Sequence, residues 1–178
     1  MKNTSLTALG GILTALSVFI MFMSSFFPFL SYTLPAFAGV LLLVIVREAE
    51  RKWAIMVYAA VSILTFIIVS NKEATIMYIF FFGYYTILKF FVEEKFNNNI
   101  IVWFIKMLVF NISVVLGYLV IIYVFAIPFD ELNEYGKYGV FILLGLGNVT
   151  FVVFDYALSK LAILYDRHWH KQFKKIFK

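Results

Sequence analysis

Four polar side chains interrupt long apolar runs, and their types define what chemistry the chain can do there. Lys106 and Asn111 share one run, Asn148 and Asp155 another. A charged or amide side chain is costly in hydrocarbon, so each needs a partner or a task. Gly145, Asn148, Val152, Asp155 and Ser159 recur at spacings of three and four, which on a helix form one small-and-polar stripe facing neighbouring helices. Lys106 enters its run about two turns from one end. Asp155 lies at comparable depth on a run of opposite direction. A Lys106–Asp155 ion pair would neutralise both, and is read as structural rather than catalytic; alternatively Lys106 snorkels to the headgroups. Asn111 and Asn148 are of the kind that joins helices by amide hydrogen bonds, while Asn148 is also placed to reach a polar ligand.

A second set clusters toward the opposite ends of the runs. Tyr78, Phe82, Tyr85 and Lys89 form a stripe at helical spacing, just beyond Lys72 and Glu73. The connector Phe27-Pro28-Phe29-Leu30-Ser31-Tyr32 is chargeless and aromatic. Tyr32, Lys72, Glu73, Tyr78 and Asn148 together could line a pocket with apolar walls and few polar anchors, the usual composition of a small-molecule site. Lys72 and Glu73 serve equally well as a solvated helix cap. No nucleotide, nucleophile-elbow or zinc-protease motif occurs. The chain has no cysteine, and His168 and His170 flank Trp169 without an acidic partner at metal spacing. The reading therefore assigns no catalytic residue, metal or cofactor, and the chain is not read as an enzyme. Asp130, Glu131 and Glu134 read as a solvated loop.

The elements that must position these groups are membrane helices. Hydrophobic residues make up 63% of the 178 and charged residues 14%, too little polar surface for a water-soluble globule. The pattern predicts an all-α, polytopic membrane protein of six transmembrane helices in one bundle. The spans run about Leu6–Phe26, Pro35–Arg47, Trp53–Val69, Thr75–Val92, Ile100–Ile127 and Val140–Leu164. The second and third are short for a full crossing. Residues 1–165 form the transmembrane domain and 166–178 a basic tail suited to the lipid surface. The opening MKNTSLTALGGILTALSVFIMFM is long for a cleavable signal and reads as a retained first helix. Of 15 Lys and Arg, all except Lys72 and Lys137 fall on one side, so the positive-inside rule places both termini in the cytoplasm. The net charge of +5 thus reflects orientation and lipid contact, not nucleic-acid binding.

Within the first helix, TALGGILTALSVFIMF carries Gly11-x-x-x-Ala15 with Ala8 on the same face, a pattern that permits close helix contact. This helix, the count of six spans and the cytoplasmic termini resemble the S components of bacterial energy-coupling factor (ECF) transporters. The segment NKEATIMYIFFFGYYTILKFFVEE is similar to small ECF-like bacterial membrane proteins. The resemblance implies a substrate-binding subunit in the cytoplasmic membrane. It would capture a small molecule from outside and depend on an ECF coupling protein and ATPase subunits for energy. It also implies that Ala8, Gly11 and Ala15 dock on the coupling protein. The residue-level match is confined to the first helix, and the signatures of vitamin-binding members are not evident. The alternative is a structural subunit of an envelope complex, comparable in size and architecture to the rod-shape protein MreD. A lipid-handling enzyme ranks last, because no charged cluster at the membrane surface suits one.

Overall fold

A computed structural model describes residues 3–125 and 139–169. Six helices account for nearly all of them, and no strand occurs among the described residues: α1 (Asn3–Met23), α2 (Thr33–Glu48), α3 (Arg51–Ile68), α4 (Lys72–Lys95), α5 (Asn99–Tyr123) and α6 (Gly139–His168). Five of these are long and apolar enough to cross a membrane, as a multi-pass membrane protein requires. The exception is α2, whose 16 residues span only about 24 Å at 1.5 Å per residue.

Local chemistry sets the helix ends. Pro35 sits in the first turn of α2, where its missing N–H removes no intrahelical bond. Asn71 caps α4, its side-chain oxygen accepting from the Ala74 N–H at 3.0 Å, and Glu73 lies in the positive first turn. Asn71 also donates to the Ser24 carbonyl and to Ser31 Oγ, which ties the α1–α2 connector to the α3–α4 connector. Asn98 caps α5 by accepting from the Ile100 N–H.

The bundle therefore has an aromatic end, with the α1–α2 and α3–α4 connectors, and a basic end, with the α2–α3 and α4–α5 turns. Helix α1 packs on α2 and α3, while α4 sits centrally against α2, α3 and α5, and α6 closes on α5 and α2. In α4, 56% of the most apolar stretch is buried, against 33% or less in the other four long helices. Two close approaches lock it in place. A Cβ on Gly39 would lie 2.4 Å from the Phe82 carbonyl oxygen, and Thr86 Oγ1 donates to the Gly39 carbonyl at 2.9 Å. A Cβ on Gly83 would meet the Tyr58 ring at 2.7 Å. Immediately before Gly83, Tyr78–Phe82 forms a π-helical turn within α4. That extra residue rotates everything beyond it relative to a regular helix, a feature that recurs at functional sites.

One stripe expected from spacing is differently turned. On α6 the inward face carries Phe151, Asp155, Leu158, Ala162 and Tyr165, whereas Gly145 meets no neighbouring side chain and Val152 is exposed. The stripe is thus rotated, and a Cβ on Gly147, not one on Gly145, would meet a neighbour, the Phe110 ring at 3.4 Å. On α1, Ala8, Gly11 and Ala15 all lie on the exposed face, while Leu6, Leu9, Leu13 and Ser17 face the bundle.

Candidate functional site

A cavity of about 470 Å³ opens between α4, α5 and α6 in the half of the bundle nearer the aromatic end. Its back wall is the π-turn region of α4, with Met77, Phe81 and Phe82. Helix α5 contributes Val114, Val115, Tyr118, Leu119 and Ile122; α6 contributes Leu144, Leu146, Gly147 and Thr150. Tyr32 lines the aromatic end. Its hydroxyl donates to Glu73 Oε1, and Tyr118 lies beside it. Burial, reinforced by the neighbouring Glu73 carboxylate, pushes the Tyr32 phenol above its ordinary range, so it remains a neutral donor.

Toward the basic end the cavity stops at a layer of rings. Phe110 and Phe151 stack with centroids 4.7 Å apart, and Phe81 meets Phe110 edge-on at 5.0 Å. Tyr85 packs against Phe151 at 5.3 Å from the other side. Its hydroxyl leads out of the aromatic layer and donates to Asp155 Oδ1 at 2.6 Å.

Asp155 belongs to a compact ionic cluster. Lys89 Nζ lies 2.7 Å from Asp155 Oδ1 and 2.8 Å from Glu93 Oε1. Lys106 Nζ bonds Glu93 Oε1 and lies 3.2 Å from Asp155 Oδ1. The Lys89 side chain is 0% exposed, and those of Lys106 and Asp155 are 3% and 5% exposed. Two lysines against two carboxylates leave no net charge, which is the condition for burying such groups. Spacing pointed to Lys106 with Asp155; the contact exists, but as one edge of a four-charge cluster. Lys89 and Glu93 were the missed members. Their signal was the i, i+4 Lys–Glu spacing on a helix whose neighbouring positions are apolar.

The remaining predicted residues are dispersed. Among Tyr32, Lys72, Glu73, Tyr78 and Asn148, Tyr32 lines the cavity and Glu73 accepts from it. Lys72 caps α3, donating to the carbonyls of Phe66 and Val69 at 2.8 and 2.9 Å. Tyr78 is fully buried beside Tyr58 and its hydroxyl has no hydrogen-bond partner. Asn148 and Asn111 exchange reciprocal amide hydrogen bonds, each 3.0 Å, which join α5 to α6. Asp130, Glu131, Glu134, Lys137, His170 and the tail from residue 170 onward lie outside the described residues. Among those described, no group of three His, Asp or Glu side chains could hold a metal ion.

Comparisons with protein-family models, curated proteins and solved structures gave no match to this chain.

Proposed function

We propose that the chain is a substrate-binding subunit of a bacterial membrane transporter, with six crossings and both termini in the cytoplasm. The carrying observation is the one-sided cavity. It opens in the half nearer the aromatic end and is closed toward the basic end by stacked rings backed by a neutral ionic cluster. With the basic end in the cytoplasm, such a cavity receives a molecule on the outer side and blocks its passage inward. Release then needs movement driven from elsewhere, which fits the dependence of an ECF S component on a coupling protein and ATPase subunits. The exposed small-residue face of α1, with Ala8, Gly11 and Ala15, suits the close approach of a partner helix.

Native mass spectrometry of gently extracted protein tests this reading. A retained small molecule together with ATPase subunits supports it. Protein that carries neither, in repeated preparations from its native host, refutes it.

The same α1 face also favours a second reading, a scaffolding subunit of an envelope complex. Gly11→Leu separates the two. Loss of a structural partner with uptake unchanged supports the scaffold; loss of ATPase copurification and of uptake together supports the transporter.

A further inference from the structure

The cavity is elongated along the helices that form it. On α5 its lining runs from Ile122 to Phe110, about 18 Å at 1.5 Å per residue. That length is close to one leaflet, half of a hydrocarbon core about 30 Å thick. A volume of about 470 Å³ over about 18 Å averages about 26 Å² in section. This is room for one hydrocarbon chain, not for an α-helix about 10–12 Å across. At the aromatic end Tyr32 and Tyr123 are 37% and 80% exposed, amphipathic rings of the kind that mark the headgroup level of a membrane. At the other end lie Phe110 and Phe151, 6% and 1% exposed.

This slot is also open along its side. Val115 and Leu119 on α5 and Leu146 on α6 line it, yet they are 43%, 44% and 56% exposed. Among the described α6 side chains none before Phe151 is buried, so the first half of this helix packs less closely than the second. In a membrane the gap between it and α5 faces lipid tails. Inside the slot no hydroxyl is left to select a polar ligand. Tyr32 donates to Glu73, Tyr118 is engaged beside Tyr32, and Thr150 donates to the Leu146 carbonyl of its own helix. No Asp, Glu, Lys, Arg or His among the described residues lines it. A polar solute would lose its hydration there without return, whereas a hydrocarbon chain gains dispersion contacts with the rings and both helix faces.

We propose that the slot holds one hydrocarbon tail of a lipid from the leaflet at the aromatic end. The tail enters sideways between α5 and α6, its headgroup stays at the interface beyond Tyr32, and its terminus reaches Phe110 and Phe151. As the substrate class of a binding subunit, a tailed lipid rests on that reading. Occupancy of the slot rests on its length, section, side opening and spent hydroxyls.

Photo-crosslinking of the full chain in phosphatidylcholine vesicles tests the proposal, the probe being phosphatidylcholine with a diazirine at the end of one tail. Phe110 and Phe151 are too buried for lipid on the outer surface to reach, so the expected adducts on them report a tail inside the slot. Val114→Phe and, independently, Leu144→Phe fill the slot from α5 and from α6. Each should abolish those adducts while the exposed Val149 and Val153 stay labelled, and thermal melts verify that both variants fold. Adducts confined to exposed side chains would overturn the proposal, as would Phe110 and Phe151 adducts that survive both filled variants. Native mass spectrometry separates this failure from that of the binding-subunit reading. A water-soluble ligand retained by protein whose Phe110 and Phe151 stay unlabelled keeps the subunit and removes the tail. Labelling of these two rings in protein that carries no ATPase subunits keeps the tail site and removes the transporter. Neither labelling nor a retained ligand removes both.

Discussion

Asp155→Asn should destabilise the bundle sharply, and a second neutralising substitution at Lys89 should then cost much less than it does alone. The Asp155 carboxylate accepts from Tyr85 and meets both Lys89 and Lys106, in a region where the lysine side chains are 0% and 3% exposed. Its neutralisation leaves two buried ammonium groups against Glu93 alone. Removing one partner of a buried pair costs about 3–5 kcal/mol. Because Glu93 still bonds both lysines, the lower end applies, about 3 kcal/mol. For a chain of this length that corresponds to a melting temperature lower by about 6–12 °C. Lys89→Met should cost a similar amount, since it strands a carboxylate instead. The double variant Asp155→Asn/Lys89→Met leaves Lys106 paired with Glu93 and no net charge. It should recover at least about 2 kcal/mol of the summed single losses, a coupling typical of residues in direct contact. The assay is thermal unfolding of the purified protein in one detergent, with all variants melted side by side. If the two single losses simply add to within about 0.5 kcal/mol, charge balance does not hold this cluster together and the reasoning fails.

Other substitutions probe the packing around the cavity. Gly39→Ala places a methyl group 2.4 Å from the Phe82 carbonyl oxygen, so α2 and α4 must separate; a loss of about 1–3 kcal/mol is expected in the same melts. Tyr78→Phe removes a buried hydroxyl that has no partner and should be neutral or stabilising by about 1 kcal/mol. A clear loss of stability, or of retained ligand by native mass spectrometry, would show that the hydroxyl has work to do. Asn111→Ala and Asn148→Ala each break the reciprocal amide pair, and a double-variant cycle should give a coupling of about 0.6 kcal/mol. A coupling of zero would mean that the amides do not join α5 to α6.

Much of the architecture is legible in the residues. Apolar runs bounded by Arg47–Lys52, Asn71–Glu73 and Glu93–Asn99 mark helices, because backbone polar groups within a membrane must be satisfied internally. Asn71 and Asn98 act as caps where their types predict. The comparable depth of Lys106 and Asp155 follows from counting residues along antiparallel helices, and the two side chains do meet. What the counting leaves out is Lys89. It lies in an aromatic stripe near a helix end, where a lysine can equally reach headgroups. The π-turn at Tyr78–Phe82 changes which side chains α4 turns inward, and no residue type announces it.

The facing of each helix is the harder matter. In water, polar residues mark the outer face; in a bilayer, lipid-facing and core-facing positions are both apolar, so the marker disappears. Gly145 and Gly147 are alike in sequence, yet only Gly147 packs on Phe110. Ala8, Gly11 and Ala15 have the spacing of a close helix contact, and only the structure shows that they lie on the exposed face of α1. The sequence by itself determined that the chain is helical and apolar, where most helices begin and end, and which polar groups must find partners. Tertiary structure alone decided that four charges close into one neutral cluster, and that aromatic side chains from α4, α5 and α6 stack above it to leave a slot. The reason is that charge and hydropathy fix depth along a helix, whereas rotation about its axis is fixed only by the shapes of its neighbours.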